Sequence, residues 1–161
     1  MVLPADCASR RISWVIPAYN EAPIFAETTR QLREWAARTG RELELIVVDD
    51  GTDDLQGELA RAGLADAVEY VRGPRLGKGA AVRDGILAST GDIVVYCDAD
   101  LPIALDDMEA CIAAVERGPA RVAVPERPWT FRPSRVFVRR PSSPGPSTPL
   151  RVAAGSSRSQ R

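Results

Sequence analysis

Short apolar runs separated by segments of helical period constrain this chain more than any other feature. Ile12 to Ile16 (ISWVI), Leu43 to Val48 (LELIVV), Ala67 to Val71 and Val94 to Cys97 (VVYC) are too short for helices. They are rich in β-branched residues and bounded by Pro, Gly or Asp, so each reads as a strand, with Pro17 ending the first. From Pro23 to Arg38, the residues Phe25, Thr28, Leu32, Trp35 and Ala36 recur at helical spacing, with Asn20 as the cap and Gly40 as the stop. Leu55 and Leu59 mark a short helix. Gly77-Lys78-Gly79 opens another through Val82, Ile86 and Ser89, and Leu105, Met108, Ile112 and Val115 form the face of a last one. Val122 to Val124 begins a fifth strand. Strands alternating with helices of this length predict an α/β fold with a mostly parallel sheet, because parallel neighbours need crossover connections.

In such sheets ligands bind at the carboxyl ends of the strands. PAYNE (17 to 21), DDGTDD (49 to 54) and DAD (98 to 100) each follow a strand directly, so all three are expected at one rim. Asp98 and Asp100 are two apart where a strand ends, which aims both carboxylates at one volume of space. Two anions held there repel each other unless a cation lies between them. Their hard oxygens suit Mg²⁺ or Mn²⁺ and leave room for water and phosphate ligands. A solvated turn is the alternative reading of a lone DxD.

Residue usage narrows the chemistry further. The chain has no histidine, which excludes a Ser-His-Asp triad, a Cys-His pair and any His-ligated metal. Cys7, Cys97 and Cys111 show no CxxC spacing and read as free thiols, with no zinc site or disulfide framework. Lys78 is the single lysine beside twenty arginines. A compact ammonium between two glycines at a helix start has room to approach a phosphate, the alternative being a solvated lysine on a Gly-rich turn. Arg83, further along that helix, either supports phosphates or pairs with Asp84 or Asp53.

Charge is divided unevenly along the chain. Residues 125 to 161 hold eight Arg and one acid, a net of +7, so with −1 overall the first 124 residues carry −8. The same stretch has seven Pro and seven Ser, a composition that buries too little to order itself. The expected organisation is a lead over 1–10, a folded half-domain over 11–124 and a disordered tail over 125–161. The tail is read either as a basic arm for anionic partners or as an out-of-frame product. No apolar run reaches the ~18 residues of a membrane helix, and Met1 to Arg11 lacks a signal-peptide core, so a cytoplasmic location is expected.

VIPAYNEA (15 to 22), IVVDDGTDD (46 to 54), LGKGAAVRDG (76 to 85) and YCDADLP (96 to 102) together resemble the family 2 glycosyltransferases of GT-A fold. Within these, the likeness is to enzymes that transfer a sugar to polyprenyl or dolichyl phosphate, the glucosyl-transferring branch more than the mannosyl one. The resemblance covers about residues 11 to 124. It implies a Rossmann-like GT-A sheet that stops after its fifth strand, short of the half in which the family carries its acceptor site. It also implies metal-dependent, inverting transfer from a UDP- or GDP-sugar at a membrane surface, at the cytoplasmic face, and transfer by this chain is expected to be poor.

By that resemblance Pro17 and Tyr19 wall the base, Glu21 faces ribose or base, and Asp50 reads the base edge while Asp49 braces the loop. Lys78 meets the diphosphate, Asp100 ligates the metal, and Asp98 reaches the metal or the ribose. No catalytic base is assigned, since a phosphate acceptor is already anionic. Nucleic acid is not an expected partner, and an exposed sheet edge makes self-association one. The competing readings are an inactive nucleotide-binding fragment, a sugar nucleotidyltransferase and a receiver-type signalling domain. The nucleotidyltransferase would carry a Gly-rich loop where PAYNEA stands. In a receiver the lysine would follow the acids.

Overall fold

The computed structural model describes residues 10–73, 75–117, 121–124 and 137–139. Along the chain run β1 (Ile12–Ala18), α1 (Ala22–Thr39), β2 (Leu43–Asp49), α2 (Leu55–Arg61), a 3₁₀ turn (Ala65–Ala67), β3 (Glu69–Arg72), α3 (Lys78–Ala88), β4 (Ile93–Tyr96), α4 (Leu105–Arg117) and β5 (Phe137–Arg139). The sheet order is β3-β2-β1-β4-β5. The first four strands are mutually parallel, and β5 pairs antiparallel with β4. This is the expected α/β architecture, a mostly parallel sheet with helices on both faces.

All seven residues of β1 are buried, as a central strand covered on both faces requires. Strand alternation divides them. Ile12, Trp14, Ile16 and Ala18 join Phe25, Leu32 and Trp35 of α1, Leu55 and Leu59 of α2, and Met108, Ile112 and Val115 of α4 in the larger core. Trp14 and Trp35 meet edge to face, 5.2 Å between centroids. Val15 faces the other way and packs with Ile46, Val48, Val94 and Ala81 of α3. Each large apolar side chain taken fully out of water contributes roughly 1.5–3 kcal/mol, so these two clusters dominate the stability. On the α3 side the helix lies close against the sheet because Gly85 has no side chain. A Cβ there would stand 2.4 Å from Cγ1 of Val15 and 3.0 Å from Cγ2 of Val48.

At the amino-terminal edge of the sheet a buried carboxylate joins three segments. Glu44, 8% exposed, accepts hydrogen bonds from the Ser13 hydroxyl of β1 and from the backbone N–H (2.8 Å) and hydroxyl (2.5 Å) of Thr90, and Arg11 lies 3.2 Å away. On the α4 side, the Arg41 guanidinium bridges Glu109 and Glu116, tying the end of α1 to that helix.

Three local expectations are corrected. Pro17 does not end β1, which runs to Ala18. Val15 O faces β4, accepting from Cys97 N, and Pro17 faces the same side two residues on, past the last β1–β4 pair at Tyr96, where its missing N–H breaks no ladder bond. Asn20 does not cap α1. The Ala22 N–H is met instead by Asp53 Oδ2 at 2.8 Å, and Pro23 in the first turn needs no partner. Gly40 does stop the helix, at φ 69°. The third strand starts two residues late, the turn over Ala65–Ala67 intervening.

Val122 to Val124 form no strand. The fifth strand is Phe137–Arg139, inside the stretch read as a disordered tail; the rest of 125–161 lies outside the described residues, as do 1–9 with Cys7. Among the described residues no helix is long and apolar enough to cross a membrane. Cys97 is buried and Cys111 is half-buried.

Candidate functional site

The parallel strands deliver their carboxyl ends to one rim, and a cavity of about 590 Å³ opens there. Pro17, Ala18, Tyr19 and Glu21 line it from the end of β1, and Asp50 and Thr52 from the loop after β2. Arg75, Gly77, Lys78 and Ala81 come from the entry to α3, and Asp98 and Asp100 from the loop after β4. All seven sequence-predicted site residues therefore line one cavity.

The Asp49–Asp50 pair divides as strand alternation demands. Asp49, 1% exposed, accepts from Gly51 N (2.8 Å), the Tyr70 hydroxyl (2.6 Å) and Arg72 Nη1 (2.8 Å), while Arg72 Nη2 donates to the Gly51 carbonyl (2.8 Å). It braces the loop. Asp50 turns to the cavity and accepts the Arg75 N–H at 2.8 Å. It sits so close to Gly73 that a Cβ there would fall 2.0 Å from its Oδ1.

The first two loops are locked together by Asn20, which holds φ 56°, a left-handed conformation that Asn tolerates better than most residues. Its Oδ1 accepts from Thr52 N (2.8 Å), the Thr52 hydroxyl (3.3 Å) and Asp53 N (3.3 Å).

Across the cavity Lys78 Nζ contacts Asp98 Oδ1 at 2.6 Å. The Tyr96 hydroxyl is 3.5 Å from the same oxygen, and the ammonium lies 6.0 Å from the Tyr96 ring centroid. Burial would lower the Lys78 pKa, but its hydrogen bond to Asp98 and the negative charge there outweigh this and raise it. Burial lifts the Glu21 carboxyl above the ordinary carboxylate range, and Asp98 and Asp100 push it the same way. Burial also raises the Tyr96 phenol, helped by Asp98. The cavity wall is thus acidic, with one ammonium in contact. Among the described residues no three His, Cys, Asp or Glu side chains gather as a metal-holding set. Arg83 pairs with its neighbour Asp84 at 2.8 Å and does not line the cavity.

The sequence motifs do not single out Thr52, Arg75 or Tyr96. For Tyr96 the signal was present: it lies two residues before Asp98, the same alternation that pairs Asp98 with Asp100. Thr52 and Arg75 carry no such signal, since their places follow from how the loops close.

A transferase from Klebsiella pneumoniae named for undecaprenyl-phosphate 4-deoxy-4-formamido-L-arabinose is 29% identical over 113 residues, 68% of this chain and 35% of that protein. Glycosyltransferase AglD of Haloferax volcanii is 34% identical over 140 residues, 84% of this chain and 22% of that protein. The chain therefore spans about a fifth to a third of the length of these relatives. In structure it is similar to a mannosyltransferase from Pyrobaculum calidifontis, with a TM-score of 0.67 at 24% identity over 86% of this chain and 47% of that one, a likeness of fold. The description Glycosyl transferase family 2 matches residues 13–156, through the four loop motifs and on beyond β5, and the chain belongs to that family.

Proposed function

We propose that the cavity binds a nucleoside diphosphate sugar, UDP- or GDP-linked, with Mg²⁺ or Mn²⁺, and that the protein transfers the sugar with inversion to a polyprenyl or dolichyl phosphate at the cytoplasmic face of a membrane. The observation that carries the reading is the meeting of Asp50, Lys78, Asp98 and Asp100, from three separate loops, around one cavity at the carboxyl rim. The acceptor class is supported by the undecaprenyl-phosphate relative.

Each side chain then has a task that suits its chemistry. Pro17 and the ring of Tyr19, 67% exposed, offer a flat apolar wall to the base. Asp50, held by the Arg75 N–H, accepts N–H donors from the base edge, and Glu21 accepts from ribose hydroxyls or the base. Lys78, at the start of α3, and the first N–H groups of that helix meet the diphosphate. Asp98 and Asp100 present two hard carboxylates from one loop, a donor set that fits Mg²⁺ or Mn²⁺ when water and phosphate oxygens complete the shell. When bound, the ion neutralises charge on the departing diphosphate. A phosphate acceptor attacks as an anion, so no side chain need remove a proton.

The test is calorimetric titration of UDP and GDP into the chain, with and without Mn²⁺, beside Asp100→Asn. Binding that requires Mn²⁺ and is lost in Asp100→Asn is expected, and the tighter nucleotide names the base. No binding by a chain that circular dichroism shows to be folded would overturn the reading.

A further inference from the structure

We infer that Lys78 is a built-in counter-ion of the acidic wall, holding Asp98 until a diphosphate draws its ammonium away and Asp98 is released to a divalent cation. This rests on the donor-site reading above and adds an order to it: nucleotide and cation load together.

Three carboxylates, Glu21, Asp98 and Asp100, face the cavity. Among the described residues, the one ion pair any of them makes is Lys78 with Asp98, at 2.6 Å. Left alone, such a cluster repels itself. The ammonium relieves that repulsion by occupying an oxygen that the proposed function needs for the cation.

The side chain is also built to let go. Lys78 is the first residue of α3, and its side chain is 54% exposed. It is flanked by Gly77 and Gly79, beside each of which even a Cβ would meet nothing within 4 Å. An ammonium on a four-carbon stem in open space can swing between partners, as the shorter, half-buried Asp98 cannot. The Tyr96 hydroxyl, 3.5 Å from Asp98 Oδ1, and the ring beneath the ammonium mark the resting position.

A consequence of opposite signs follows. If Lys78 met phosphate only and rested clear of Asp98, screened by water, removing its charge would weaken nucleotide binding and change the affinity for a cation alone little. As a counter-ion it competes with that cation, so removing it strengthens cation binding in the absence of nucleotide.

The experiment is titration of the 161-residue chain with Mn²⁺ alone, following free Mn²⁺ by electron paramagnetic resonance. Wild type, Lys78→Met and Lys78→Arg are compared, and then titrated with UDP and with GDP at saturating Mn²⁺. Lys78→Met is expected to bind Mn²⁺ about tenfold more tightly than wild type and both nucleotides about tenfold more weakly. Lys78→Arg, which keeps the cation, stays near wild type for Mn²⁺. Mn²⁺ affinity equal or weaker in folded Lys78→Met, with nucleotide binding to wild type intact, overturns the counter-ion inference alone. Failure of folded wild type to bind either nucleotide overturns the donor-site reading and the exchange with it.

Discussion

Replacing Glu44 by Gln tests whether the buried carboxylate at the amino-terminal edge of the sheet supports the fold in the way its contacts imply. The carboxylate accepts from the Ser13 hydroxyl and from both the N–H and hydroxyl of Thr90. Ser13 Oγ in turn accepts the Gly91 N–H at 2.7 Å, so β1, β2 and the turn into β4 share one network. Glutamine keeps the volume but has one oxygen, and its NH₂ group must face a donor. Hydrogen bonds to a charged acceptor are worth about 1.5–3 kcal/mol each. Losing one of the three and neutralising the rest should cost about 3 kcal/mol. Arg11 is 44% exposed on its side chain and adds little.

Such a loss is a large share of the roughly 5–15 kcal/mol that a domain commonly has, and urea unfolding followed by tryptophan fluorescence would read it. The pH dependence supplies a second readout. Burial would raise the Glu44 pKa, but the hydrogen bonds from Ser13 and Thr90 and the charge of Arg11 prevail and lower it from 4.5. A depressed carboxylate contributes its stability above that value and loses it as the pH falls through the folded pKa. Wild type should therefore lose stability below pH 4.5 more steeply than Glu44→Gln, and the two should converge. Nucleotide affinity of the folded variant should not change, because Glu44 lies at the start of β2 and Asp50 just past its end. A variant within about 0.5 kcal/mol of wild type at neutral pH, the ordinary range for inert surface changes, or one with the same acid profile, would refute the reasoning.

Two further substitutions probe how the fold supports the site. Gly85→Val would drive its Cβ into Val15, 0% exposed, lift α3 from the sheet and cost at least about 2 kcal/mol; nucleotide affinity should fall too, since α3 carries Lys78, and calorimetry beside urea unfolding reads both. Arg41→Met leaves Glu116, whose side chain is 10% exposed, without its cation and should cost about 3 kcal/mol in urea unfolding. Most of that should return in Arg41→Met with Glu116→Leu, because apolar residues can replace a buried ion pair at little loss.

Much of this site is legible in the sequence. Acid-bearing loops after strands and one lysine between glycines point to Lys78, Asp98 and Asp100, the family resemblance adds Pro17, Tyr19, Glu21 and Asp50, and all seven line the cavity. Alternation predicts that Asp49 and Asp50 face opposite ways, and the family resemblance picks Asp50 as the one that meets the ligand. Asn20 carries a cap signal by its position before a helix, whereas its oxygen is claimed by Thr52 and Asp53, more than thirty residues away. Pro17 reads as a strand end because a proline lacks an N–H; whether that matters depends on where a neighbouring strand stops.

What the sequence by itself determined is what depends on local period and on chain connectivity: which runs extend, which coil, that the strands lie parallel, and hence that their acidic loops share a rim. Only the tertiary structure decided partnership. The pairing of Lys78 with Asp98, the bracing of Asp49 by Tyr70 and Arg72, the Glu44 network and the antiparallel β5 beside β4 join residues distant in the chain. Their contacts depend on loop closure and side-chain reach within a few ångströms, which no periodicity encodes.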